Sequence, residues 1–149
     1  MPTTPQTLPL ADATSDAAIE APEGWPVQSA HIHMLGIGGC GMSGLARMLK
    51  ARGAFIDGSD KYDNEAAAAL RAEGIAATAE PTTPSLPEDC DLVIASAAIK
   101  PDHPQMLEAQ RRGLRTLTYA EALGRCMLGR SAVALAGTHG KSTTTAMLG

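Results

Sequence analysis

The stretch LGIGGCGMSG, residues 35–44, carries the pattern that decides the fold of this chain. Gly36, Gly38 and Gly41 are spaced as G-x-G-x-x-G, with the apolar run HIHML before them and LARMLK after them. In this pattern the first glycine permits a tight turn, the second lets a phosphate approach bare backbone, and the third lets a helix lie close to a sheet. The stretch therefore predicts a strand, a phosphate-binding loop and a helix whose N-terminus attracts an anion.

A glycine-rich turn that binds nothing is the alternative interpretation of this stretch. It is the weaker one, because five glycines in nine positions, residues 36–44, make a turn at a high cost in chain entropy.

Composition narrows the possible classes of protein. The chain has 149 residues, of which 44% are hydrophobic and only 3% aromatic, so a core must be built mainly from aliphatic side chains. A net charge of −4 argues against a general nucleic-acid binder. The three cysteines, Cys40, Cys90 and Cys126, form no C-x-x-C pair, which predicts neither a disulfide framework nor a zinc site but reduced thiols in a cytoplasmic protein. No apolar run approaches the roughly 20 residues of a membrane span.

The order of the segments predicts an α/β domain. Residues 1–29 are rich in Pro, Thr, Ala and acids without periodicity, which is typical of a disordered leader. Strand-like and helix-like segments then alternate, as in βαβ units with a parallel sheet. We therefore expect a Rossmann-like domain over residues 30–130. The predicted strands are 31–35, 54–58, 75–78, 91–96 and 115–118; the predicted helices are 42–52, 64–73, 104–112 and 119–127; and residues 80–89 are predicted to form a surface loop.

A second loop follows near the end of the chain. The apolar segment SAVALA, residues 131–136, predicts a strand, GTHGKS at 137–142 a phosphate loop, and the following residues a helix. The pattern is the shorter G-T-x-G-K-[ST], since Leu135 stands where the full P-loop has its first glycine. Residues 131–149 are therefore expected to open a truncated ATP-binding domain, so that the sequence is a fragment of a longer protein.

Two side chains complete the predicted first site. Asp60 follows the second strand, 19 residues after Gly41, where this fold places an acid on a ribose hydroxyl, although such a residue can also serve as a turn or a helix cap. Ser96 begins the loop after the most apolar strand, at the predicted ligand crevice. Asp102 is interpreted as the cap of the next helix, and His33 as a structural residue.

Two phosphate loops about 100 residues apart resemble the Mur ligases of peptidoglycan synthesis. The similarity lies in IHMLGIGGCGMSG at residues 32–44, GSD at 58–60, SAAI at 96–99 and AGTHGKSTT at 136–144. It extends from about residue 30 to the end of the chain. The chain departs from the family pattern at Ala79-Glu80, where the family usually has Gly-His, and at His103, where it usually has Asn.

The resemblance implies a cytoplasmic ATP-dependent ligase with Mg²⁺ that joins L-alanine to the carboxylate of UDP-N-acetylmuramate, without nucleic-acid or membrane partners. This chain would hold only the UDP-sugar-binding domain and the P-loop, and would be inactive alone. The implied UDP-sugar site consists of Gly36, Gly38, Gly39, Cys40, Gly41, Met42, Ser43, Asp60 and Ser96. The implied ATP site consists of Gly137, Thr138, His139, Gly140, Lys141, Ser142 and Thr143, with Lys141 catalytic and Ser142 on the magnesium.

Three other functions stay open from the sequence. A murein-peptide ligase of cell-wall recycling uses the same sugar nucleotide, although its first loop usually continues Gly-Thr-Phe-Met rather than Gly41-Met42. An NAD-dependent oxidoreductase fits the first loop and Asp60 but gives the second loop no role. A sugar-nucleotide-binding module without enzymatic activity fits the fragment as it stands.

Overall fold

A parallel five-stranded sheet forms the centre of the structure, a computed structural model that describes residues 25–79, 84–131, 133 and 135–148. The strand order is β3-β2-β1-β4-β5, and every neighbouring pair is parallel. The predicted Rossmann-like sheet is therefore confirmed. The strands are β1 His31–Leu35, β2 Phe55–Asp60, β3 Ala76–Ala79, β4 Leu92–Ala95 and β5 Arg115–Thr118; the helices are α1 Cys40–Ala51, α2 Glu65–Ala72, α3 Pro104–Arg111, α4 Tyr119–Cys126 and α5 Lys141–Leu148.

Two apolar layers enclose the sheet. Because side chains alternate along a strand, Ile32 and Met34 of β1 pack with α1, α2 and α4 on one face. Leu35 packs on the opposite face with Ala109 of α3. Helix α1 contributes an apolar stripe at helical spacing to the first layer, formed by Met42, Leu45, Ala46 and Leu49. The glycine loop between β1 and α1, residues 36–39, is therefore held at both ends by packed elements.

Local sequence signals explain where the helices begin and end. The side chain of Asn64 accepts a hydrogen bond from the N–H of Ala67 and caps α2, while Thr118 and Glu121 form a capping box at α4. Gly53 and Gly74 follow the C-caps of α1 and α2 with φ of +87° and +75°, a conformation that favours glycine. The first four helices consequently lie within about two residues of their predicted bounds.

The segment before the first strand contacts the domain. Residues 1–24 of the predicted leader lie outside the described residues, but residues 25–29 pack on the domain. Val27 is buried in the first apolar layer, Trp25 packs against that layer, and the N–H of Ser29 donates to the carbonyl of Gly53 at 2.8 Å. Residues 25–29 are therefore attached to the domain, because Trp25 and Val27 contact its apolar core.

The predicted strand over residues 131–136 is not observed. Its described residues, 131, 133, 135 and 136, belong to no strand and pair with no neighbour. Helix α5 nevertheless forms, with all of its described side chains exposed. Local sequence was sufficient for the helix, whereas a strand needs a partner strand. Of the predicted loop at 80–89, residues 84–89 contain no helix or strand and residues 80–83 lie outside the described part.

The described residues include no helix that is long and apolar enough to cross a membrane.

Candidate functional site

A pocket of about 610 Å³ opens at the carboxyl edge of the sheet. It lies at the end of β1, which has β2 on one side and β4 on the other. The chain builds the sheet in one direction from β1 to β3 and in the opposite direction from β4 onward. Parallel sheets of this kind bind ligands at such a reversal of the strand order. Its walls come from the ends of β1 and β2 and from the loop between β4 and α3. The lining residues are Gly36, Ser59, Asp60, Lys61, Ala98, Ile99, Lys100, Asp102, His103 and Pro104.

The first glycine of the loop makes the predicted tight turn. Gly36 has a φ of +78°, and its N–H and that of Ile37 donate to the carbonyl of Ser59 at 2.7 and 3.1 Å. A Cβ at Gly36 would lie 2.9 Å from the Cβ of Ser96. Both the backbone conformation and the close approach of Ser96 require glycine here.

The second glycine is held by side chains of the protein itself. The N–H of Gly38 donates to Oδ2 of Asp60 at 2.8 Å, and Nδ2 of Asn64 donates to the Gly38 carbonyl at 3.3 Å. A Cβ at Gly38 would lie 2.8 Å from both terminal atoms of Asn64 and 3.0 Å from Oδ2 of Asp60. The open space for a phosphate that was predicted at Gly38 is therefore occupied by these two side chains.

The third glycine also has a different neighbour from the predicted one. A Cβ at Gly41 would lie 2.8 Å from the hydroxyl oxygen and from the adjoining ring carbon of Tyr119, at the start of α4. The nearest contact that glycine permits at Gly41 is therefore between α1 and the aromatic ring of Tyr119, a contact that the prediction did not include. No local pattern indicates this contact, since Tyr119 lies 78 residues further along the chain.

The N-terminus of α1 presents backbone groups rather than side chains. Its N-cap, Gly39, makes no side-chain cap, and its first turn contains no acid. The side chain of Met42 is buried in the apolar layer, and the hydroxyl of Ser43 donates to the carbonyl of Cys40 at 3.1 Å. Of the predicted binding residues in this turn, Met42 can thus offer a ligand only its backbone, and Cys40 is exposed. The N–H of Ser43 is already used, because it donates to the carbonyl of Gly39 at 2.8 Å.

The two predicted side-chain ligands occupy different places. Asp60 lines the pocket, and its Oδ1 accepts a further hydrogen bond from the N–H of Tyr62 at 3.2 Å. The hydroxyl of Ser96 accepts from the N–H of Ala98 at 3.2 Å, and its Cβ packs on Gly36. Asp60 therefore faces both the glycine loop and the pocket, while Ser96 supports the loop.

Cationic side chains in the pocket wall were not selected from the sequence. Lys61 and Lys100 line the pocket beside Asp60 and Asp102. Lys61 directly follows β2 and Lys100 lies in the loop after β4, so their position beyond strand ends was the available signal. The interpretation of Asp102 as a helix cap is wrong: the N-cap of α3 is His103, whose Nδ1 accepts from the N–H of Gln105 at 3.3 Å.

A buried polar network supports the pocket between the sheet and α3. Nδ1 of His33 lies 2.9 Å from Oδ1 of Asp57, and since a carboxylate only accepts, Nδ1 carries the proton and Nε2 accepts from the Gln105 amide at 3.3 Å. Oε1 of Gln105 in turn accepts from the hydroxyl of Ser59, which lines the pocket, at 2.8 Å. Both ring nitrogens of His33 are thus bonded to side chains of the protein, which supports its interpretation as a structural residue.

Asp57 is the charged member of this network. Burial acts to raise the pKa of Asp57, but the hydrogen bond and charge of His33, together with those of His31, outweigh burial, so the pKa lies below its ordinary value of 3.8. Nε2 of His31 lies 3.2 Å from the same carboxylate oxygen. The ionised form of Asp57 is thus favoured in the folded protein.

The second loop, residues 137–142, has a defined backbone but is exposed along its whole length. Residues 137–148 are exposed, and the ammonium group of Lys141 donates to the carbonyl of Gly137 within its own loop. Gly140 has a φ of +76°, and its carbonyl accepts from the N–H of Thr144. In the part of the chain that is described, no group of three or more His, Cys, Asp or Glu could hold a metal. The loop therefore has its local shape without a surrounding sheet.

Comparison with known proteins identifies the domain. The sequence profile of the "Mur ligase family, catalytic domain" matches residues 31–131. A protein of Salinispora arenicola named UDP-N-acetylmuramate--L-alanine ligase is 47% identical over 117 residues, which is 78% of this chain and 23% of that protein.

Solved structures show the same fold. A murein peptide ligase from Psychrobacter arcticus superposes with a TM-score of 0.75 at 33% identity, over 80% of this chain and 25% of that one. The UDP-N-acetylmuramate-alanine ligase of Thermotoga maritima gives a TM-score of 0.59 at 29% identity, over 62% and 21%.

The chain spans about a quarter of the length of the curated relatives that it matches. The profile nevertheless covers more than half of the chain, from the first strand to beyond α4. The chain therefore belongs to the Mur ligase family.

Proposed function

We propose that this chain supplies the UDP-sugar-binding domain of an ATP-dependent ligase that joins L-alanine to the carboxylate of UDP-N-acetylmuramate. The observation that carries the proposal is the pocket at the carboxyl edge of the sheet, bordered by the glycine loop, in a chain 47% identical to a protein named for that reaction. The pocket volume of about 610 Å³ is in the range of small-ligand sites.

The diphosphate of the sugar nucleotide is assigned to the start of α1. Its first N–H groups lack intrahelical partners, and Gly39 provides no side chain to satisfy them. The helix dipole favours an anion there. Lys61 and Lys100 add positive charge in the adjoining pocket, and Asp60 offers carboxylate oxygens to the hydroxyls of the ribose. Of the predicted site residues, Cys40, Gly41 and Met42 would bind the diphosphate through their backbone N–H groups, and Asp60 would bind the ribose. Gly36, Gly38, Gly39, Ser43 and Ser96 would shape the loop and the helix start instead, because their hydrogen bonds are made within the protein.

The reaction requires an activated carboxylate, because a carboxylate is a poor electrophile. The γ-phosphoryl group of ATP is transferred to a carboxylate oxygen and ADP leaves; the amine of L-alanine then attacks the acyl carbon, an amide bond forms and phosphate leaves. Phosphoryl transfer depends on positioned charge. We assign that role to Lys141, with the N–H groups of residues 137–143 around the phosphates.

Magnesium is assigned to the hydroxyl of Ser142. A hydroxyl on the first turn of a helix after a glycine loop suits Mg²⁺, which keeps several waters and binds substrate phosphates. The ion would be bound together with the phosphates of ATP. Bound there, it would neutralise charge on the phosphates. Since ATP and the sugar nucleotide are cytoplasmic metabolites, we place the enzyme in the cytoplasm.

A second candidate is the addition of a peptide instead of L-alanine. It is supported by the higher TM-scores of two murein-peptide ligases, 0.75 and 0.71, against 0.59 for the L-alanine enzyme. The curated relatives at 42–47% identity favour L-alanine. Both enzymes would hold the same sugar nucleotide in this domain.

A chimera tests the proposal. Residues 25–131 of this chain would replace the matching part of the Salinispora arenicola relative, and ADP release would be measured with UDP-N-acetylmuramate and L-alanine. We expect ADP release that depends on both substrates, with the Lys141-equivalent of the recipient intact. A folded chimera that binds ATP but releases no ADP with both substrates present would contradict the proposal.

A further inference from the structure

We infer that Asn64 is a positioning residue for the glycine loop, and that it couples the loop to helix α2. The inference rests on the proposed function in one respect only, that the loop after β1 receives the diphosphate. Neither the glycine pattern nor the comparisons assign Asn64 a role.

The two ends of the Asn64 amide serve different elements. Its Oδ1 accepts from the N–H of Ala67 at 2.8 Å and so caps α2. Its Nδ2 donates to the carbonyl of Gly38 at 3.3 Å. Because both ends are used, the side chain cannot rotate without losing a bond to α2 or to the loop.

Asp60 completes the attachment from the other side of Gly38. Its Oδ2 accepts from the Gly38 N–H at 2.8 Å, so that the two polar groups of this glycine are bonded to the last residue of β2 and to the N-cap of α2. We call these two bonds the Gly38 bridge. The N–H of Gly39, one residue further, donates to the Gly36 carbonyl at 3.1 Å. The bridge and this turn together fix the backbone that leads into the first turn of α1.

The bridge matters for binding because a phosphate site made of backbone N–H groups depends on their direction. A loop that is held in one conformation before binding loses less conformational freedom when the ligand arrives. Without the Gly38 bridge, the glycine loop could still adopt the binding conformation. The free energy needed to order it would then lower the affinity for the ligand.

Two substitutions separate this role from helix capping. Asn64→Ser keeps an oxygen that can cap α2 but is too short to donate to Gly38, whereas Asn64→Ala removes both functions. Each variant of the 149-residue chain would be titrated with UDP-N-acetylmuramate by calorimetry. Its melting temperature and the hydrogen exchange of the Gly38 amide would be measured without ligand.

We expect both variants to bind the sugar nucleotide about three- to tenfold more weakly, the range for one neutral hydrogen bond. Asn64→Ala should lower the melting temperature more than Asn64→Ser does, because only Asn64→Ala also loses the cap of α2, and Gly38 should exchange faster in both. Parental affinity and parental Gly38 exchange in Asn64→Ser would overturn the inference, since Asn64 would then only cap α2.

One outcome distinguishes this inference from the proposed function. If the parent chain does not bind UDP-N-acetylmuramate, while Gly38 exchanges faster in Asn64→Ser, the positioning role is supported and the assignment of the ligand is wrong.

Discussion

At the scale of single residues, the glycines of the first loop are required largely by the protein itself. Ser96 approaches Gly36, Asn64 and Asp60 approach Gly38, and the ring of Tyr119 approaches Gly41. The pattern G-x-G-x-x-G was therefore a correct signal of the loop, but the reasons it suggested for Gly38 and Gly41 were incomplete. They depend on side chains whose positions are set only when the chain has folded.

Gly38→Ala tests this explanation without any ligand. The backbone of Gly38 is not in the left-handed region, so alanine adds no strain of its own, but its Cβ would displace Asn64 and Asp60 from their hydrogen bonds. We expect the free energy of unfolding in urea to fall by about 1–3 kcal/mol. Gly44→Ala is the control, because its Cβ meets nothing within 4 Å and α1 should gain about 0.5–1 kcal/mol. Equal stability of Gly38→Ala and the parent would show that the Gly38 bridge has no energetic weight.

Asp57→Asn tests the buried polar network through its pH dependence. The folded-state pKa of Asp57 lies below its ordinary value, although burial opposes this, because His33 and His31 favour the carboxylate. The stability contributed by Asp57 is therefore complete above the unfolded pKa and is lost as the pH falls through the folded one. We expect the parent to be more stable than Asp57→Asn at pH 7 and the difference to shrink below about pH 4. A difference that stays constant between pH 7 and pH 3 would contradict the assignment.

At the scale of elements, local sequence was most informative where one segment decides its own structure. Helices α2, α3 and α4 follow from their caps and from the glycines or basic residues near their ends. The segment 131–136 shows the opposite case: its apolar residues suit a strand, but a strand forms only beside another, and none of its described residues pairs with the five-stranded sheet. Helix α5 formed from its own sequence and buries none of its described side chains.

The exposure of the second loop predicts a low affinity for ATP. With Lys141 bonded to its own loop and α5 exposed, the N–H groups around a phosphate are not held by a packed sheet. An isolated helix of this length is marginal in water. We expect the 149-residue chain to bind ATP weakly or not at all by calorimetry, and removal of residues 137–149 to leave its urea stability unchanged. Micromolar ATP affinity that is lost in Lys141→Ala would show that the loop is already organised.

At the scale of the whole molecule, the alternation of segments predicted the parallel sheet and the edge at which the pocket lies. The membership of the pocket was predicted in part: Asp60 and the loop after β4 were expected, whereas Lys61 and the network of Gln105 and Ser59 were not. Residues such as Ser59 and Gln105 are distant in sequence, and they come into contact only because the sheet and α3 place them side by side. Trp25 and Val27 belong to the same class, because their burial depends on a surface built by other segments.

The central claim is that the pocket beside the glycine loop binds a UDP-sugar, and calorimetric titration of the 149-residue chain tests it most directly. UDP-N-acetylmuramate and NAD would be titrated into the parent and into Asp60→Ala. We predict binding of UDP-N-acetylmuramate, no measurable binding of NAD, and an affinity loss in Asp60→Ala corresponding to about 1–3 kcal/mol. Binding of NAD in preference to the sugar nucleotide, or binding that is unchanged in Asp60→Ala, would contradict the account.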